Sequence, residues 1–220
     1  MSFTPPPPRA AAGPPRAPGV RVYGVLGGIA SGKSHVARLL AGADGVLIDA
    51  DRVAREVLAS DEVRAELVHT FGPASLGRDG APDREWLAQR VFASPEERAR
   101  LEALTHPRIR DRIRAALEDA VRRGVRRIVL DVPLLVENEA QHGLLSRCDE
   151  LWFVDAGLES RDARARATRG WKAGEVERRE RTQRPLAEKR ALAHVLLTNE
   201  GSLAELETAV SRALSERGAR

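Results

Sequence analysis

Residues Gly27-Gly28-Ile29-Ala30-Ser31-Gly32-Lys33-Ser34 fit G-x-x-x-x-G-K-[ST], and no other feature of the 220-residue chain constrains its fold as strongly. The run follows a short apolar stretch, Val20 to Gly27, which reads as a buried strand. It opens a stretch of helical character, Lys33 to Leu40. A strand that turns through glycines into a helix N-terminus is built to hold anions. Backbone N–H groups converge on phosphate oxygens there, and the helix dipole favours negative charge. In such a loop Lys33 reaches the β- and γ-phosphates of a nucleotide, and the Ser34 hydroxyl takes a place on Mg²⁺.

The pattern after the loop repeats the same grammar. Val46 to Asp49, Ile128 to Val132, Leu151 to Asp155 and Val195 to Asn199 read as further short strands, separated by helical stretches. That alternation predicts a parallel five-stranded sheet covered on both faces, an α/β chain of three layers. Between the second and third strands lies a long helical block, about 60–123, too long for a simple crossover and read as an insertion. Ser94-Pro95-Glu96-Glu97 supplies a cap, a first-position proline and a glutamate three residues after the cap. Pro107 is expected to break or kink this block after His106. A second helical excursion, about 158–194, carries Arg161, Arg164, Arg166, Arg169, Arg178, Arg179, Arg181 and Arg184.

Acids at strand ends mark the ligand crevice of an open α/β sheet. Ile48-Asp49-Ala50-Asp51 places two there: either can cap the following helix, and either can orient an acceptor hydroxyl or take its proton. Leu130-Asp131-Val132-Pro133-Leu134-Leu135 ends the third strand in an acid, the arrangement that holds Mg²⁺ directly or through water. Trp86, Trp152, Trp171 and Phe153 read as core or lid packing, and His106 before Pro107 as a turn histidine.

Composition removes other classes. At 42% hydrophobic and 31% charged residues the chain is globular in type. No run approaches about 18 apolar residues, so no transmembrane helix is expected. The single cysteine, Cys148, has no internal disulfide partner, and no signal-peptide stretch precedes the first strand, which points to the cytoplasm. Five scattered histidines offer no zinc-type cluster. All but Lys33, Lys172 and Lys189 of the 36 basic residues are arginine, interleaved with 32 acids, so charge alone does not decide the function. Residues 1–20 hold seven of the thirteen prolines and read as a disordered tail outside the fold.

Taken together, the segments resemble the dephospho-CoA kinase family from about Val22 to Val210. They fall in the family's order: Gly27 to Ser34, Asp49-Ala50-Asp51, Phe71-Gly72, Arg84 through Val91-Phe92, and Leu104-Thr105-His106-Pro107. Leu130 to Leu135 with Glu137 follows, and then Asn199-Glu200-Gly201-Ser202. The resemblance implies a P-loop kinase core over 21–220, a helical coenzyme-binding insertion and an arginine-bearing lid. It also implies transfer of the ATP γ-phosphate, with Mg²⁺, to the 3′-hydroxyl of dephospho-CoA.

By the same resemblance Asp51, Lys33 and Arg169 are catalytic. Gly28, Ile29, Ala30, Ser31, Gly32, Lys33, Ser34, His35 and Asn199 hold ATP, with Asn199 near the adenine. Asp51, His106, Arg108 and Leu134 face the coenzyme, and Ser34 and Asp131 the metal. The implied partner is the small molecule alone, without nucleic acid or membrane, for a monomer or weak homo-oligomer. The alternative is another small-molecule kinase on this core, such as a nucleoside monophosphate kinase. A GTP-binding switch would need N-K-x-D, which the chain lacks, and a nucleic-acid module on the arginines would need no ATP. The family usually has glycine at the position of Ala30 and threonine at that of His35. Its lid arginines are spaced differently, with Arg169 offset by about one residue.

Overall fold

The computed structural model describes residues 16–218. The core begins with β1 (Arg21–Gly27), α1 (Lys33–Ala41) and β2 (Val46–Asp49). A run of helices follows: α2 (Ala50–Leu58), α3 (Asp61–Phe71), α4 (Arg84–Ala93) and the long α5 (Pro95–Arg122). The core resumes with β3 (Arg127–Asp131), the short α6 (Glu139–His142) and β4 (Glu150–Asp155). Three helices, α7 (Leu158–Arg169), α8 (Glu175–Glu180) and α9 (Leu186–Ala191), lead to β5 (Val195–Thr198) and the terminal α10 (Leu203–Gly218). Each strand lies within one residue of its expected bounds.

The sheet has the order β2-β3-β1-β4-β5. β1 pairs in parallel with both β3 and β4, and β4 with β5. Val22, Val25, Ile128, Val129, Leu130, Trp152, Phe153 and Val154 are all buried, on alternating faces, so both faces of the sheet are covered. On one face Val36, Ala37 and Leu40 of α1 meet Leu206 and Val210 of α10 over Tyr23, Val129, Trp152 and Val154. Tryptophan at 152 and phenylalanine at 153 are therefore core, as their context suggests. The order also makes β1 central, with sequence neighbours leaving to either side. Its C-terminal end, where the glycine-rich loop begins, is the switch point at which open α/β sheets bind ligands.

Asp49–Ala116 forms a second compact unit. Its helices start where side chains can cap them. The Asp49 carboxylate accepts from Arg52 N at 2.9 Å, Asp83 from Trp86 N at 2.9 Å, and the Ser94 hydroxyl from Glu97 N at 3.2 Å, with Pro95 at the first helical position. Val53, Val57, Val63, Leu67 and Leu87 are buried. Of the break or kink expected at Pro107, the break does not occur: α5 runs through it and does not end at His106. Proline removes one N–H and crowds the preceding turn. The bond lost is the one to the Ala103 carbonyl; on either side of it Arg108 donates to the Leu104 carbonyl and Thr105 Oγ1 to that of Leu101, both at 2.7 Å.

Most of the proline-rich stretch lies outside the described residues, but its end does not behave as a free tail. The Arg16 guanidinium donates to Asp149 and to the Arg147 carbonyl, each at 2.6 Å, and Asp149 also accepts from Val22 N at 2.7 Å. Val20 is buried. The fold thus starts a few residues earlier than the composition suggests, because one arginine finds a carboxylate far along the chain. Arg16→Ala should cost about 1–2 kcal/mol, a fall of about 3–6 °C in Tm. A melting curve superimposable on the parent's would show the pair to be inconsequential.

Candidate active site

The loop from Gly27 to Ser34 has the backbone that its sequence demands. Gly27 (φ 148°) and Gly32 (φ 100°) adopt conformations that favour glycine. At Gly27 a Cβ would also stand 2.5 Å from the Val154 carbonyl, and at Gly32 it would run into the Asn199 amide. Ala30 (φ 58°) takes the left-handed conformation without being glycine, a local cost of about 1–2 kcal/mol. The loop delivers Lys33 and Ser34 to the first turn of α1, with Ser34 exposed and no acidic side chain in that turn to compete with a phosphate.

Lys33 lies across its own loop. Its Nζ donates to the carbonyls of Gly28 at 2.6 Å and Gly27 at 3.2 Å. Burial lowers its pKa from 10.5 to about 8, with Lys189 and Arg169 pushing the same way and Asp131 and Glu180 opposing them. These influences place Asp131 at the end of β3 and Arg169 at the end of α7 within electrostatic reach of the amine. Arg169 also stacks on Trp171, 5.0 Å from the ring centroid, and Arg179 stacks on the same ring at 4.2 Å.

A consequence for pH follows. The folded pKa lies below the unfolded one, so burying the ammonium opposes folding below pH about 8, and that cost fades between about 8 and 10.5 as the amine loses its proton in both states. Binding of a non-hydrolysable ATP analogue should be strongest below about pH 8 and weaken up to tenfold per pH unit above it. Calorimetry in buffers of different ionisation enthalpy should detect proton uptake on binding at about pH 9. Affinity that stays flat from about pH 7 to 9.5 would rule this out.

Two contacts fasten the loop to later segments. Asn199, buried at the end of β5, donates from Nδ2 to the Ser31 carbonyl at 2.8 Å, and Arg164 in turn donates to the Asn199 carbonyl at 2.7 Å. Glu180 of α8 accepts from Ile29 N at 2.6 Å and from the buried Arg161 at 2.6 Å, while Arg161 Nε donates to the Ala156 carbonyl at 2.9 Å. Glu180 therefore ties α8 to the phosphate loop through Ile29 N, and its ion pair with Arg161 of α7 is withdrawn from water. Sequence reasoning assigned no role to Arg161, Arg164 or Glu180. The partners sit 19 to 151 positions apart, with no spacing that could signal them.

Comparison with known proteins identifies the family. A family model described as dephospho-CoA kinase matches residues 21–205. The chain belongs to the dephospho-CoA kinase family. It is 39% identical to the dephospho-CoA kinase of Geobacter sulfurreducens over 90% of this chain and 99% of that one. It is 40% identical to that of Deinococcus radiodurans over 89% and 92%. A Thermus thermophilus crystal structure superposes with a TM-score of 0.68 at 37% identity, covering 90% of this chain and 97% of that one. The dephospho-CoA kinase of Campylobacter jejuni shares the fold, with a TM-score of 0.67 at 22% identity over 90% and 97%.

In the second unit Asp49 and Asp51, which the sequence left open as cap or ligand-facing acid, differ in their contacts. Asp49 is the helix cap, whereas Asp51 in the first turn of α2 is exposed and takes no hydrogen bond or ion pair among the described residues. His106 is likewise exposed, but on a helix rather than in a turn. Arg108 is engaged by Glu62 at 2.7 Å and by Glu66, which hold its pKa above the ordinary arginine value. In the core unit Leu134, three residues after Asp131, has φ 55° and is 38% exposed, an apolar side chain on a strained backbone left in the open. His35, at the position where the family usually has threonine, has Nε2 3.5 Å from a Glu207 carboxylate oxygen on α10.

Proposed function

We propose that this chain transfers the γ-phosphate of ATP to the 3′-hydroxyl of dephospho-CoA, giving CoA and ADP. The observation that carries the reading is the strained glycine-rich loop that presents Lys33 and Ser34 beside Asp131, in a chain matched to the family from 21 to 205. The acceptor oxygen forms a bond to the γ-phosphorus, and the bond from that phosphorus to the β-γ bridging oxygen breaks. Loop N–H groups and Lys33 hold the β- and γ-phosphates, and Arg169 adds positive charge from the lid side. Asp51 takes the proton of the 3′-hydroxyl, because its carboxylate is uncommitted whereas Asp49 is spent on its helix.

His106, Arg108 and Leu134 serve the coenzyme in this reading, and Asn199 lies toward the adenine while bracing Ser31. Arg108 would exchange Glu62 and Glu66 for an anionic group of the coenzyme. Ser34 and Asp131 offer the hard oxygen donors that suit Mg²⁺, an ion that keeps most of its ligands as water and phosphate. Bound there, the ion would neutralise charge between the β- and γ-phosphates. No helix among the described residues is long and apolar enough to cross a membrane. A cytoplasmic monomer or weak homo-oligomer, without nucleic-acid partners, completes the reading.

A coupled ADP-release assay offering dephospho-CoA, AMP, pantothenate and nucleosides in parallel tests it. Release should be fastest with dephospho-CoA by a wide margin. Faster release with AMP would instead favour a nucleoside monophosphate kinase on the same core.

A further inference from the structure

The opposite end of the sheet from the phosphate loop holds a second, unexplained concentration of charge. A cavity of about 470 Å³ opens there at the N-terminal ends of β1 and β3, within the size range of small-ligand sites. Arg21, Arg126, Arg127 and Arg217 line it, with Asp44 and Glu150 as its acids. Arg217 is satisfied, donating to Glu150 at 3.3 Å and to the His194 carbonyl at 2.7 Å. The guanidiniums of the other three have no hydrogen bond or ion pair among the described residues.

Arg21 and Arg126 are exposed and Arg127 is half-buried, so water screens them in part, and a bound anion would relieve their mutual repulsion further. Arg21 and Arg127 are in-register partners on adjacent parallel strands, and like charges held side by side on a sheet repel. Tyr23 lines the same cavity, and its hydroxyl makes no hydrogen bond among the described residues, so a phenolic donor is free to meet a ligand there. Burial raises the pKa of that hydroxyl, with Glu150 adding to the rise and Arg21 and Arg127 opposing it, so both guanidiniums lie within electrostatic reach of it. A free neutral donor in a cavity with unpaired guanidiniums suits an anion with several oxygens. Leu214 supplies an apolar wall for whatever the anion is attached to.

We propose that this cavity is a second anion site, taking a phosphate-bearing small molecule on Arg21, Arg127 and the Tyr23 hydroxyl, remote from the nucleotide loop. The site is independent of the kinase reading, since none of its residues belongs to the phosphate loop, the lid or the coenzyme side. Arginine fits phosphate oxygens in pairs, and a phenolic O–H completes the cradle with a neutral donor.

The test uses the full-length protein with its nucleotide loop saturated by a non-hydrolysable ATP analogue, titrated with inorganic pyrophosphate. Calorimetry should show one further binding event, and backbone amide shifts should concentrate at residues 21–23, 126–128 and 217. Arg21→Ser with Arg127→Ser should weaken that event at least tenfold, and Tyr23→Phe should weaken it several-fold. Tyr23→Phe keeps the ring against Trp152, so it guards against a double variant that fails to fold. Kinase turnover should be unchanged in a folded variant, and Lys33→Ala should leave the second event in place. No second event up to about 10 mM, or binding that survives the double substitution, would overturn the proposal. So would loss of the event in Lys33→Ala, which would assign all pyrophosphate binding to the nucleotide loop.

Discussion

The Asp51→Asn enzyme is expected to turn over about 100- to 10,000-fold more slowly than the parent, the range for a lost acid/base. Its affinity for an ATP analogue should be nearly unchanged. Asparagine keeps the shape and most of the hydrogen-bonding capacity of aspartate but neither its charge nor its basicity. The structure sharpens the experiment by dividing labour between neighbours. Asp49 accepts from Arg52 N and starts α2, so Asp51 has no capping role to lose. Asp49→Asn is then the control. Asparagine caps a helix about as well as aspartate, so stability should hold and turnover should fall far less than in Asp51→Asn. Steady-state kinetics with varied dephospho-CoA, alongside equilibrium binding of the analogue, separates the two roles. Parental turnover in Asp51→Asn would move the base to Asp49 or Asp131.

Lys33→Ala should lose on the order of 3 kcal/mol or more of transition-state stabilisation, which is a fall in kcat/KM of at least about 100-fold. Phosphoryl transfer is catalysed mainly by positioning and electrostatics, and this amine is the loop's only full positive charge. The free protein should melt within a few degrees of the parent. Removing Nζ forfeits its bonds to the Gly27 and Gly28 carbonyls but also relieves an ammonium whose burial drives its pKa down to about 8. What should disappear is the rise in Tm that the ATP analogue gives the parent. A variant that keeps both that rise and parental turnover would remove Lys33 from the site.

How much of this was legible in advance depends on the range of the interaction. The strands and the phosphate loop are local: an apolar run, glycines and a helix start are encoded within a dozen residues, and backbone sterics then dictate the turn. The capping of α5 by Ser94, with Pro95 behind it, is local in the same sense. Pro107, expected to break or kink the helical block, does not break it, because one lost N–H does not end a helix that continues on both sides. The parallel five-stranded sheet followed from alternation of strand and helix, but its order did not, because apolar runs do not say which strands lie side by side.

By itself the sequence determined the chemistry that one stretch of chain can hold: a loop for phosphates, acids at strand ends, a parallel sheet to carry them. Tertiary structure alone decided which groups remained available. It folded Asn199 against Ser31 and set Glu180 on Ile29 N with Arg161 behind it. It also tied Arg16 to Asp149 and gathered unpaired arginines around Tyr23. The reason is physical. A hydrogen bond or ion pair is fixed by distances of about 3 Å between side chains. Residues more than a hundred positions apart acquire such distances only when the chain has closed.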